Sequence, residues 1–198
     1  MTLGAYNTLE EKEIRSGVGE MLKAHAIDGP ESFKKIAADY QLIFKDKLVM
    51  VEYLRRSLKI KKRFIEEDEF DRGPRNIFNY GHSFGHALEI ATNFSIPHGI
   101  AVSIGMDMAN FVAMRLGIAD KDVYQLMNPT LSANFSGFEF NHIRVDLFIE
   151  ALTRDKKNIG NGSVTLILPN RNQKGWIAKG HFANNEAFKK IRQISNQI

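Results

Sequence analysis

The stretch Arg75-Asn76-Ile77-Phe78-Asn79-Tyr80-Gly81-His82-Ser83-Phe84-Gly85-His86-Ala87-Leu88-Glu89, followed by His98-Gly99-Ile100-Ala101-Val102-Ser103-Ile104-Gly105-Met106, reads as two consecutive helices. At about 100° per residue, the first is predicted over Arg75 to Thr92, with Ile77, Phe84, Leu88 and Ala91 on one face. Arg75, Asn79, His82, His86 and Glu89 share the opposite face. Solvent faces are usually lined by Lys and Glu, whereas this one carries a guanidinium, an amide and imidazoles. Tyr80, Ala87 and Ile90 leave the rest of the helix apolar, the pattern of a buried helix with one polar stripe facing a cavity. The second helix is predicted from His98 to Leu116, closed by Gly117. Its polar residues are few (Ser103, Asp107, Asn110, Arg115), so it belongs at the centre of the domain, with His98 at the bottom of a cleft.

His82 and His86 are four residues apart and can approach one metal ion from a single helix face. His98 lies just beyond, after Pro97, while His25, His142 and His181 have no such company. Upstream, Glu20 and Lys23 have the spacing of an ordinary surface ion pair. Gly17 and Gly19 argue for more, because a mid-helix glycine costs about 1 kcal/mol relative to alanine. They imply that something approaches the backbone closely beside Glu20.

Outward from these segments most of the chain reads as helix. Helices are predicted from Thr8 (capping-box spacing with Glu11) to Ile27, from Glu31 to Lys45, and from Leu48 to Glu66. The last carries Val51, Leu54, Leu58 and Phe64 at helical spacing. A charged connector ends in Gly73-Pro74. Beyond Gly117 come a short helix over Asp122–Met127, a loop over Leu131–Phe138 and a helix over Ile143–Lys157. Strand character is confined to Ser163–Leu168, with Trp176–Lys179 as its hairpin partner, before a last helix over Asn184–Ile194. The expected fold class is mainly α, one helical domain with a small β-hairpin.

Composition sets the outer limits. The chain has 198 residues, enough for about one domain with a self-sufficient core. With no cysteine, disulfides and thiolate zinc sites are excluded, so any metal is held by His and carboxylate. A net charge of +4 is too balanced to argue for nucleic acid or a membrane surface. The basic run Arg55 to Arg63 is followed at once by acidic residues that cancel its field. The N-terminal residues lack the pattern of a signal peptide, and the longest apolar stretch falls short of a membrane span. A cytoplasmic location is expected. No Gly-x-Gly-x-x-Gly follows a strand, so the chain shows no dinucleotide site of its own.

Taken together, the Arg75–Glu89 and His98–Met106 segments resemble the core of 3-dehydroquinate synthase. Arg15-Ser16-Gly17-Val18-Gly19-Glu20-Met21-Leu22-Lys23 resembles that family's Glu-and-Lys motif, and Lys61, Asp68-Glu69 and Asp155-Lys156-Lys157 match in order. The family joins an α/β domain that binds NAD to a helical domain carrying metal and substrate ligands, and the resemblance is to the second part alone. It implies that the NAD-binding domain lies outside this chain, which on its own is expected to be inactive. It implies Glu20, His82 and His98 as ligands of zinc or another divalent metal such as cobalt, where spacing alone pairs His82 with His86. It places His86 and Asn79 on the substrate phosphate, Arg75 and Lys61 at the carboxylate region, Lys23 on a hydroxyl, and Lys156 or Lys157 as a further anion ligand. His86, Asn79, Arg75, Lys61 and Lys23 are thereby the expected catalytic set, acting on a phosphorylated sugar acid. The implied reaction, in the shikimate pathway, converts 3-deoxy-arabino-heptulosonate 7-phosphate to 3-dehydroquinate with loss of phosphate, and a homodimer is expected from the family. The pattern departs from the family at Ile100, where His-Gly-Glu is usual, and at Pro74 and Phe78. Ile100 removes a carboxylate that could have oriented a metal ligand. Related cyclases that make valiolone-type or inosose rings, and metal-dependent alcohol dehydrogenases of the glycerol dehydrogenase type, are the neighbouring activities. A non-catalytic helical interaction domain is the remaining alternative.

Overall fold

The computed structural model describes residues 10–68, 74–138, 143–154, 164–170 and 177–182. Eight α-helices, one 3-10 helix and a two-stranded hairpin make up this part of the chain. In chain order they are α1 (Glu11–Asp28), α2 (Pro30–Ala38), α3 (Tyr40–Lys45), α4 (Lys47–Glu67), the 3-10 helix (Pro74–Asn79) and α5 (His82–Ala91). They continue with α6 (His98–Arg115), α7 (Lys121–Phe135), α8 (Val145–Arg154), β1 (Val164–Pro169) and β2 (Ile177–Phe182). The mainly helical class with a small hairpin is therefore the observed one. The start at Thr8, the connector residues 69–73 and the last helix over 184–194 lie outside the described residues.

Helix α6 is the central element, as its composition required. Ile100, Ala101, Val102, Met106, Ala109 and Ala113 are fully enclosed, and α1, α5, α7 and β1 all pack on it. The hairpin is antiparallel, pairing Val164 with Phe182 through Pro169 with Ile177, and it turns Leu166, Leu168 and Ile177 into the core.

Where helices meet α6 most closely, glycine makes the approach possible. A Cβ on Gly99 would lie 1.8 Å from the Ser16 carbonyl oxygen, and one on Gly19 would lie 2.1 Å from the Gly99 carbonyl oxygen. The approach expected beside Glu20 is thus made by the backbone of α6, through Gly19. Gly17 does not share in it, since a side chain there would meet open space. Behind this crossing lies a buried polar network. Gly99 N–H donates to Ser16 Oγ (2.9 Å), Asn134 donates to Ser103 Oγ (2.9 Å) and to Arg15 O (3.1 Å), and Tyr40 O–H donates to Asn134 Oδ1 (3.1 Å). With its members paired inside the protein, the network locks α1, α3, α6 and α7 in one register.

Several predicted boundaries are corrected. The long fourth helix is broken: its first part is the 3-10 helix, and the chain turns through Gly81 at φ 76° before α5 begins. That left-handed backbone is open to glycine at little cost. The single helix over Glu31–Lys45 is two, separated at Asp39. The loop predicted over Leu131–Phe138 is helical as far as Phe135, with Pro129 inside α7. There Met127, Thr130, Leu131 and Asn134 are buried, and Asn128 donates to Asp107 Oδ1, Tyr124 Oη and Ser132 Oγ, so tertiary contacts override the local breaker. On α4 the buried residues are Met50, Tyr53 and Ile60, while Leu54 and Leu58 are exposed. Ile90, expected inside, is also exposed. No described helix is long and apolar enough to cross a membrane.

Among the buried titratable groups, His25 stands far from its solution behaviour. His25 is enclosed between α1, α2 and α4, its Nδ1 2.8 Å from Ser32 Oγ and its Nε2 buried without a hydrogen-bond partner among the described residues. Burial pushes its pKa down to about 4, with Asp28 opposing and Arg56 assisting. Because the folded value lies below the unfolded one, the unfolded chain binds more protons between about pH 6.5 and 4, and stability falls as pH drops through that window. Denaturant unfolding of the chain and of His25→Phe at pH 7 and pH 4 is expected to show the difference between them shift by about 3 kcal/mol in favour of the variant at pH 4. An unchanged difference would contradict the assignment.

Candidate metal centre

Three imidazoles and two charged side chains converge where α1, α5 and the start of α6 meet. Helix α5 begins with His82, one turn later places His86, and at its far end places Glu89 on the same face. The chain reverses through Asn93 and Phe94, both with left-handed φ, and brings His98 back as the first residue of α6. The ring centroids of His82 lie 5.2 Å from those of both His86 and His98, and one nitrogen from each of the three rings lies within 4.8 Å of the others. From α1, Glu20 Oε1 reaches to 4.0 Å from His82 Nε2 and 3.8 Å from His98 Nε2.

A tetrahedral ion with bonds of about 2.0–2.2 Å needs donors roughly 3.3–3.6 Å apart, and the Glu20 oxygen, 4.0 and 3.8 Å from the two imidazole nitrogens, stands within a few tenths of an ångström of that spacing. The protonation states also suit a metal, which needs ionised carboxylate and neutral imidazole. Burial alone would raise the Glu20 carboxyl, but the Lys23 ammonium and the neighbouring imidazoles hold it below its usual value. Burial, then the Lys23 charge, holds His82 well below the ordinary imidazole range.

The rings are oriented from behind. His82 Nδ1 lies 3.3 Å from the Tyr80 carbonyl, and His98 Nδ1 lies 3.0 Å from Glu89 Oε1. Each contact leaves Nε2 on the side of Glu20, where that of His82 also meets Lys23 Nζ at 3.5 Å. No such contact of His86 is recorded among the described residues.

Lys23 is not the surface ion pair its spacing suggested. It is 5% exposed, and its Nζ sits 2.9 Å from Glu20 Oε2 and 3.5 Å from His82 Nε2. His98 departs from expectation in the other direction: its side chain is 46% exposed, at the rim of the cluster. Being first on α6 outweighs the apolar character of the helix that follows.

The other predicted residues are spread around this cluster. Asn79 ends the 3-10 helix three residues before His82 and donates to the Asn76 carbonyl. Lys61 is exposed on α4, one turn before Phe64, whose ring packs edge-on against Phe78 of the 3-10 helix. Among the described contacts neither Asn79 nor Lys61 touches the imidazoles. The Arg75 side chain, Lys156 and Lys157 lie outside the described residues. A cavity of about 650 Å³ between α1, α2 and α4, lined by His25, Lys35, Arg56 and Arg63, shares no residue with the cluster.

Against known proteins, the model of the 3-dehydroquinate synthase C-terminal family matches residues 17–158. The chain is 38% identical over 180 residues to the 3-dehydroquinate synthase of Dehalococcoides mccartyi, covering 89% of this chain and 49% of that protein. It is 37% identical over 166 residues to that of Dictyoglomus thermophilum, covering 82% and 46%. The chain thus spans about half the length of the curated relatives it matches. Among solved structures, the fold is similar to 2-epi-5-epi-valiolone synthase from Streptomyces hygroscopicus subsp. jinggangensis 5008, determined with NAD+ and Zn2+ bound. The TM-score is 0.73 at 16% identity, covering 96% of this chain and 53% of that one. It is also similar to a 2-deoxy-scyllo-inosose synthase complexed with carbaglucose-6-phosphate, NAD+ and Co2+, at TM-score 0.67 and 18% identity, covering 92% and 52%. The Glu-and-Lys motif, the paired helices with their three histidines and the helical fold around them have one common explanation: this chain belongs to the 3-dehydroquinate synthase C-terminal family.

Proposed function

We propose that the chain is the metal- and substrate-binding half of a sugar phosphate cyclase that converts 3-deoxy-arabino-heptulosonate 7-phosphate to 3-dehydroquinate with release of phosphate, in the shikimate pathway. The observation that carries this reading is the convergence of Glu20, His82 and His98, with both imidazoles held from behind at Nδ1, in a chain of this family. These three residues would hold zinc or another divalent ion, and when bound it supplies Lewis acidity for adjacent hydroxyls of the sugar. NAD, bound mainly by a partner domain outside this chain, supplies the reversible hydride acceptor.

The chain's own residues bind and orient the substrate. Lys61 and Arg75 take the carboxylate end, while Asn79, His86 and a lysine of the pair 156–157 take the phosphate, through charge-assisted hydrogen bonds. Lys23, desolvated beside Glu20 and His82, holds a hydroxyl next to the metal ligands. His86 is free for the phosphate because the Nδ1 contacts favour His82 and His98, not His86, as the ligand rings. The elimination itself needs no further strong base from the protein, since the departing phosphate can accept the proton.

The test is reconstitution with the NAD-binding half of a relative, zinc and 3-deoxy-arabino-heptulosonate 7-phosphate. Phosphate release with formation of 3-dehydroquinate is expected from the assembly, and none from the 198-residue chain with NAD alone. Net reduction of NAD without phosphate release would instead assign a dehydrogenase.

A further inference from the structure

We infer that Glu89 is the positioning residue for His98, its carboxylate holding the Nδ1 proton so that the Nε2 lone pair faces Glu20 and His82. This inference rests on the metal site proposed above. Glu89 is 9% exposed at the far end of α5, and its Oε1 lies 3.0 Å from His98 Nδ1. A buried carboxylate is costly unless it is hydrogen-bonded, and His98 is its recorded side-chain partner among the described residues.

Ile100, which stands where His-Gly-Glu would place a carboxylate, is fully enclosed in the core and offers no acceptor. The acceptor for His98 comes from the preceding helix, seven residues after His82 on the same face of α5. The two ligand rings are then held alike, His82 by the Tyr80 carbonyl and His98 by Glu89. The second is the stronger hold, because a carboxylate placed behind an imidazole raises its basicity and offsets part of the charge of an ion bound in front. It is also the more needed, since the His98 side chain is 46% exposed and that of His82 only 16%.

Two measurements on the 198-residue chain test this. Histidine-labelled protein without metal at pH 8, read by long-range proton–nitrogen NMR, is expected to show His98 as the Nδ1–H tautomer. In Glu89→Ala it reverts to the Nε2–H form that free imidazole prefers. A Co(II) titration followed by d–d absorbance is expected to show affinity 10–100-fold weaker in Glu89→Ala, with Glu89→Gln, which keeps an acceptor oxygen, in between. The melting temperature of each variant without metal separates this from a loss of folding. An Nε2–H tautomer in the unaltered chain, or equal Co(II) affinity in Glu89→Ala, overturns the role of Glu89 and leaves the metal site standing. If the unaltered chain takes up no Co(II), the metal site falls and the inference with it.

Discussion

Gly99→Ala is expected to unfold the junction on which the site is built, lowering stability by about 3 kcal/mol or more. The added methyl would sit 1.8 Å from the Ser16 carbonyl oxygen, and that neighbour is helix backbone with no rotamer to change. Relief requires α1 and α6 to separate, which breaks the Gly99–Ser16 hydrogen bond and opens the buried network around Ser103 and Asn134. A drop in melting temperature on the order of 10 °C follows for a domain of this size. Gly17→Ala is the internal control. It lies two residues before Gly19 on the same helix but faces open space, so alanine there should raise stability by up to about 1 kcal/mol. Calorimetry of the two variants checks both signs. A Gly99→Ala chain that melts with the unaltered protein would mean that the helices do not cross as described.

The second large effect concerns which histidines would hold the proposed metal ion. Glu20→Ala, His82→Ala and His98→Ala are each expected to weaken Zn(II) or Co(II) binding by more than about 100-fold, beyond the loss typical of residues that merely support a ligand. His86→Ala is expected to leave metal binding within about threefold of the unaltered chain and to abolish phosphate release in the reconstituted enzyme. The distinction follows from the Nδ1 contacts, which orient His82 and His98 but are not recorded for His86. Loss of metal in His86→Ala with retention in Glu20→Ala would restore the pairing that helical spacing alone suggests.

Much of this site was legible in the sequence, and the parts that were not have physical reasons. The polar stripe of His82, His86 and Glu89 was readable because all three lie on one uninterrupted helix, where angular position follows from residue number. Asn79 and Arg75 fell outside that logic, because Gly81 breaks the helix and its left-handed turn restarts the count. The burial of Lys23 was hidden, since its spacing from Glu20 suits a surface pair equally well, and its contact with His82 joins residues 59 apart in sequence. Gly19 signalled that crossing, while Gly17 gave the same local cue with no neighbour behind it. The contact between Glu89 and His98 depends on the reversal through Asn93 and Phe94, whose backbone no side-chain periodicity announces. On α4, a stripe at helical spacing pointed to Leu54 and Leu58, yet Met50, Tyr53 and Ile60 face the core, because that helix is apolar on more than one side.

The metal centre is tested most directly by elemental analysis of the untagged chain after incubation with zinc and removal of free metal, alongside Glu20→Ala. About one zinc per chain, lost in the variant while the fold is retained, is the predicted result. A correctly folded chain that retains no zinc, or one that retains it equally without Glu20, would contradict the claim that Glu20, His82 and His98 form a metal centre.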